Sequence, residues 1–279
     1  MLRNRYGRQI WIVKKKDGTQ GYLKIPVSPR KTEYRLMVAN EYIAARLARM
    51  LGLPVAALKE IQVKGPRRKK MRGMVSIKAN AKEVIPWKKA KFSSYSLLER
   101  EVHQMNLLVQ MLVFDAWILN LDRTNRNLIL YRNRSDELYN WYLIDHGIAL
   151  FGSPVKWKRS WARKKYKTPG AYEKTLHRRK CRKFLSLRVP KGLKAYAMKH
   201  RSATDHMMRW ISRLSRQEID RAIRTVPKGY LKPSEKAFIR SMLLKRQKHI
   251  RQIMDKLFDK MQVQAWKKSK TRKNGSLFE

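Results

Sequence analysis

The chain has 279 residues, 43% of them hydrophobic, with 67 Lys and Arg against 20 Asp and Glu for a formal net charge of +47. That length and apolar fraction exclude a disordered chain and suit one large domain or two lobes, and a single cysteine, Cys181, excludes an intrachain disulfide and points to a reducing, cytoplasmic address. A membrane span and a secretory signal are not expected: the longest apolar stretch, Leu107 to Leu121, is interrupted by Gln110, Asp115 and Asn120, and the start lacks both an h-region and a cleavage site.

Gln9 to Val13 alternates as a strand, Asp17-Gly18 signals a hairpin, and Gly21 to Ile25 reads as the return strand, broken by Pro26, Ser28 and Pro29. A helix is predicted from about Glu33 to Leu51, with Leu36, Ile43, Leu47 and Leu51 at helical spacing and Gly52 at its end. Val55 to Val63 and Gly73 to Lys78 read as strands around the basic turn Lys64 to Arg72. Ala79 to Ser93, polar and basic with Pro86, reads as a loop. Ser94 to Leu119 is predicted as one long helix, since Leu98, Val102, Met105, Val109, Leu112, Val113 and Ala116 share a broad face. Leu128 to Tyr131 and Trp141 to Ile144 are short strands. Two helices are expected later, about Ala203 to Arg224 and about Pro233 to Gln262, and Lys267 to Glu279 reads as a frayed tail. The sum is an α+β chain with a small β-rich N-lobe over 1–80, a larger, mostly helical C-lobe over 81–266 and a basic tail over 267–279.

The informative stretch runs from Phe114 to Asn127. Asp122 and Asn127 stand five positions apart, the spacing at which a kinase catalytic loop places a base and a metal-binding amide. Asp145 follows a strand and precedes His146-Gly147, as the second metal-binding carboxylate does. Hard oxygen donors of this kind suit a magnesium ion bridging ATP phosphates. Lys24 lies within an apolar strand, where Lys is depleted. It can reach phosphates, and Glu41 on the following helix is its candidate partner. His146 reads as a locally bonded side chain. There is no Walker A sequence, no Cys/His zinc spacing and no nucleophile elbow, and the glycines of Asp17 to Gly21 are explained as well by a plain hairpin.

Taken in order, Lys24, Asn40-Glu41 opening toward Leu51-Gly52-Leu53-Pro54-Val55, Asn120-Leu121-Asp122-Arg123 to Asn127, and Ile144-Asp145-His146-Gly147 resemble the HipA-like kinases, relatives of the phosphatidylinositol kinase branch of the protein-kinase fold. The resemblance covers about residues 8 to 152. It implies a two-lobed protein-kinase-like fold using ATP and Mg2+, with Asp122 as the catalytic base and Asn127 and Asp145 as magnesium ligands. It also implies that Lys24 contacts the ATP phosphates and that the stretch Met74 to Ile77 is a hinge meeting adenine through its backbone. Thr124 stands where the family often carries His, and the Ser-bearing phosphate loop of the toxins is not evident. A compact, stand-alone kinase domain fits better than a toxin. The acceptor implied is a protein Ser or Thr, with a lipid or small-molecule hydroxyl second.

The charge points to a polyanion partner, whether RNA, DNA, an acidic protein or an anionic membrane, with solubility or a genome that favours Lys and Arg as the alternative. The basic runs are 65–72, 156–167 and 177–183, the second interleaved with Trp157, Trp161 and Tyr166. The rival reading is a catalytically silent kinase-like protein that binds nucleic acid.

Overall fold

The computed structural model describes residues 2–3, 9–24, 32–64, 70–90, 92, 98–120, 122–150, 189–259 and 261–262. The first part is an antiparallel sheet with one helix. Strands β1 (Leu2–Arg3), β2 (Gln9–Lys14), β3 (Gln20–Lys24), β4 (Leu58–Lys64) and β5 (Lys70–Ile77) lie in the order β1-β2-β3-β5-β4. Gly18, at φ +83, makes the β2–β3 turn, where its N–H donates to Lys15 O. Gly21 on β3 has no room for a side chain: a Cβ there would meet Val75 Cγ1 at 2.5 Å. Helix α1 (Thr32–Met50) ends in a left-handed Gly52, φ +69, with Leu53 N–H on Ala48 O and Gly52 N–H on Arg49 O.

A second sheet, β6 (Glu83–Pro86), β7 (Leu128–Arg132) and β8 (Asn140–Leu143), is antiparallel in that order. The helices of this part are α2 (Leu98–Glu101), α3 (Met105–Trp117), α4 (Lys191–Lys199), α5 (Ala203–Arg213), α6 (Arg216–Arg224) and α7 (Pro233–Lys248). Residues 250–259 are also helical. Helix α3 is the central rod: Leu108, Val109, Met111, Leu112, Val113, Phe114 and Trp117 are fully buried. Arg246 of α7 covers its C-terminal end, donating to Trp117 O and Ala116 O, while Trp117 Nε1 donates to Leu243 O. That fixes the point from which the Asp122 loop departs. Among the described residues no helix is long and apolar enough to cross a membrane.

The mixed α+β architecture agrees with expectation, and several local expectations are corrected. Ser94 to Leu119 is not one helix. The chain breaks between α2 and α3, with Gln104 at φ 54, because Tyr139 N–H bonds to Glu101 O and His103 N–H to Tyr139 O. Ala79 to Ser93 holds β6 and a 3-10 turn, Trp87–Lys89. Lys70 to Arg72 belong to β5, not to a turn. Ala203 to Arg224 is two helices, separated at Ser215, which caps α6 with Glu218 in a capping box. The last predicted helix is likewise interrupted at His249, and α4 had no clear sequence signal. The basic runs 156–167 and 177–183, Cys181 and the tail lie outside the described residues.

Two arginines tie the first sheet and its helix to the helical part. Arg35 of α1 pairs with both oxygens of Glu235 at 2.6 Å and donates to Tyr230 O. Arg72 of β5 donates to Lys228 O and lies over the Tyr230 ring. Burial raises the Glu235 pKa, but Arg35 and the Lys232 N–H outweigh it and hold the carboxyl below its usual range. The pair's contribution is therefore whole above the unfolded Glu value, about 4.3, and is lost as pH falls through the lower folded value. Arg35→Met strands a partly buried carboxylate at a cost on the order of 3 kcal/mol, so the melting temperature should fall by roughly 6–12 °C. Thermal unfolding near neutral pH checks this, and the drop should shrink in acid.

Candidate active site

The site lies where β3, α1, the loop after α3 and the loop after β8 meet. Lys24 ends β3 and is partly buried; its ammonium donates to Glu41 Oε1 at 2.7 Å and to Asp145 Oδ1 at 3.0 Å. Burial alone would lower the Lys24 pKa, but the Asp145 and Glu41 carboxylates outweigh it and hold it above the ordinary value. Lys24 is thus an ammonium at any physiological pH.

Glu41, buried on α1, uses its two oxygens differently. Oε1 takes Lys24, and Oε2 accepts the backbone N–H of His146 at 2.9 Å. Its neighbour Asn40 donates from Nδ2 to Gly147 O at 3.0 Å and Ala149 O at 2.7 Å. Two carbonyl acceptors require the NH2 group at that position, which fixes the amide's orientation. Adjacent residues of one helix therefore grip the segment that carries Asp145. Asp145 itself sits at φ 60, a region that Asp tolerates better than most residues. Gly147 follows because a Cβ there would press on Met37 Cε at 3.2 Å.

Asp122 and Asn127 are joined within their loop. Asn127 Nδ2 donates to Asp122 O at 2.7 Å, and Asp122 O also accepts Thr124 N–H at 2.7 Å. With its NH2 so committed, the Asn127 side chain turns its carbonyl oxygen the other way, as an amide metal ligand must. Ile144 N–H donates to Asn127 O at 3.3 Å, which brings the strand before Asp145 beside Asn127.

Beneath these residues lies a set without a sequence-derived role. Arg123 is fully buried. Its Nε donates to Asp115 Oδ2 at 2.7 Å, Nη1 to Asn127 O at 2.6 Å and Ile144 O at 3.1 Å, and Nη2 to Asp115 Oδ1 at 3.1 Å. Nη2 also lies 2.8 Å from His146 Nε2. Guanidinium only donates, so His146 Nε2 accepts and the ring proton is on Nδ1. Burial and the Arg123 charge keep His146 neutral, well below its ordinary pKa. Asn120 completes the set, donating to Asp115 Oδ1 at 2.8 Å. The available signal was Asp115 and Asn120 inside an otherwise apolar run, since a buried charge demands a partner.

The structure brings Lys24, Glu41 and Asp145 into direct contact and joins Asp122 to Asn127. Ile77, expected to meet adenine through its backbone, ends β5. β5 runs between β3 and β4, the Ile77 N–H donates to Ala57 O at 2.8 Å, and Lys78 N–H donates to Gln20 O at 2.9 Å. Both of these donors are used within the protein. The next one, Ala79 N–H, is held loosely, 3.4 Å from Tyr142 Oη.

The sequence model of the HipA-like kinase family matches residues 8–159. No curated protein sequence matches the chain. Among solved structures, the chain is similar to the Helicobacter pylori proinflammatory kinase CtkA, with a TM-score of 0.52 and 15% identity, covering 91% of each chain. It is also similar to HipA of Shewanella oneidensis MR-1, solved with HipB and operator DNA, with a TM-score of 0.46 and 14% identity over 86% of this chain and 60% of that one.

Proposed function

The chain belongs to the HipA-like kinase family, and from that membership and the geometry of its polar cleft we propose that it moves the γ-phosphate of ATP to a hydroxyl acceptor, most fittingly a protein Ser or Thr. The observation that carries the reading is the contact of Lys24 with both Glu41 and Asp145, beside a loop in which Asn127 is tied back to Asp122. Phosphoryl transfer asks a protein chiefly to position its reactants and neutralise charge, and these residues can do both.

In this reading Asp122 orients the acceptor hydroxyl and takes its proton. Lys24 steadies the phosphates, held in place by Glu41. Among the described residues no three His, Cys, Asp or Glu side chains gather as a metal site. Magnesium commonly takes one or two protein oxygens and completes its shell with phosphate and water, so Asn127 and Asp145 fit it. When bound, the ion would neutralise charge on the β- and γ-phosphates. The segment 78–82 after β5 would meet adenine, with Ala79 N–H as the donor. The proposed lobes divide near residue 80, and a reducing, cytoplasmic address fits the single cysteine.

ATP with magnesium is expected to stabilise the chain by about 2.7 kcal/mol at a hundredfold excess over Kd, and so to raise its melting temperature. Asp145→Ala should lose the magnesium-dependent part. A wild-type protein, stripped of nucleic acid, that shows no shift at low salt would sink the reading.

A further inference from the structure

The net charge of +47 asks for a polyanionic partner. Side chains suited to one lie on α5, away from the cleft just described. This helix is two-faced: Met207, Met208 and Ile211 are buried, while His206, Arg209, Trp210 and Arg213 are exposed. The spacing of i, i+3, i+4 and i+7 lines the exposed four along one side. Among the described residues, Trp210 and Ile12 are the exposed large apolar side chains, and Trp210 is 40% exposed.

A lone open indole is unremarkable in itself; this one is fixed in place and borders a cavity. Trp210 Cζ3 lies 3.5 Å from where a Cβ on Gly52 would stand, so the bare turn at the end of α1 backs one edge of the ring. The His206 ring is 4.6 Å from it, tilted by 53°. A cavity of about 470 Å³ opens alongside, with Asn106, Gln110, Ser202, His206 and Arg209 as its polar lining. No carboxylate lines it, and neither does Lys24, Glu41, Asp122, Asn127 or Asp145. Among the described residues no carboxylate pairs with Arg209 or Arg213, whereas Arg201 pairs with Asp255 and Arg251 with Asp205.

We propose that this pocket takes a base of single-stranded nucleic acid, stacked on Trp210, with neighbouring phosphates on Arg209 and Arg213. Every base offers a π-face to an indole, so the stack is sequence-tolerant. The amides of Asn106 and Gln110 each carry a donor and an acceptor, which suits the edge of a base. Guanidinium groups match phosphate geometry. Arg213 lies one turn along α5 from Arg209, about 6 Å at 1.5 Å per residue, so the cationic track continues past a single nucleotide. A duplex hides the faces of its bases and cannot use such a wall. The site stands apart from the proposed phosphotransfer and survives its failure.

The test is fluorescence anisotropy of a labelled oligouridine of about twelve nucleotides, a length that covers one such site. The full chain, freed of nucleic acid, is titrated at several salt concentrations from roughly 50 to 200 mM. Trp210→Ala should weaken binding by about 5- to 100-fold at each salt concentration, because a stacked base is lost. The slope of log affinity against log salt should stay unchanged. Trp210→Phe should recover most of the loss, which separates stacking from any fault in folding. Arg209→Gln/Arg213→Gln should reduce the slope by about 1.4, at 0.7 per phosphate contact. A matched duplex should bind Trp210→Ala and wild type alike. Equal oligouridine affinity in wild type and Trp210→Ala would overturn the pocket and leave diffuse charge binding. Competition by AMP as strong as that by the oligonucleotide, lost in Trp210→Ala, would overturn the single strand in favour of a free nucleotide.

Discussion

Asp145→Asn is expected to slow phosphoryl transfer by about a thousandfold while leaving the fold in place. The substitution keeps the shape of the side chain and removes one negative charge. Asn tolerates the left-handed backbone that Asp145 adopts at φ 60 as well as Asp does. It can still accept from Lys24, which keeps Glu41 as its second partner. The Asp145 side chain is 39% exposed, so little packing is at stake. What goes is the anionic oxygen that a magnesium ion prefers to an amide. Initial rates with labelled ATP, beside a melting curve, separate the two effects. Glu41→Gln should differ in stability. Glu41 is buried and its oxygens serve Lys24 and the His146 N–H. Its loss should lower the melting temperature as well as the rate. A slow but stable Asp145→Asn beside a slow and unstable Glu41→Gln is the expected pattern. Equal rates for wild type and Asp145→Asn would remove Asp145 from the reaction.

The parts of this site legible in the sequence are those set by short-range spacing. Asp122 to Asn127 is a five-residue interval, Asp145 follows an apolar strand, and Lys24 is a cation among apolar strand neighbours. Glu41 could be picked as a partner because the helix follows Lys24 directly. The rest depends on contacts between distant residues. Arg35 meets Glu235 across 200 positions and Asn40 meets Gly147 across 107. No local pattern reports such pairings. The helix break at Gln104 was hidden for a related reason. Apolar periodicity runs unbroken from Leu98 to Ala116, yet pairing with Tyr139 overrides it. β6 was masked by the polar, basic stretch around it and by Pro86, which an edge strand accommodates at its end.

Arg123 should have the largest combined effect on stability and rate. It holds the backbone of Asn127, the backbone just before Asp145 and the ring just after it, with Asp115 balancing its charge. It is a positioning residue, touching the segments that carry the proposed metal ligands and not the reactants. Arg123→Met leaves Asp115 charged and buried with Asn120 alone, at a cost of about 3–5 kcal/mol, so the melting temperature should drop by roughly 10 °C or more. Arg123→Lys keeps the charge but has a single ammonium, which cannot serve Asp115, two carbonyls and His146 together. It should fold, and its apparent need for magnesium should rise about tenfold or more, with ATP affinity in the absence of metal unchanged. A merely structural role would not move the magnesium requirement. The double variant Asp115→Leu/Arg123→Met separates charge from clamp. Removing both ions relieves the buried carboxylate, so stability should recover part of the way toward wild type. The Asn127 and Ile144 carbonyls still lack the Arg123 guanidinium that joins them, so transfer should stay slow. Recovery of rate together with stability would mean that Arg123 serves only to neutralise Asp115.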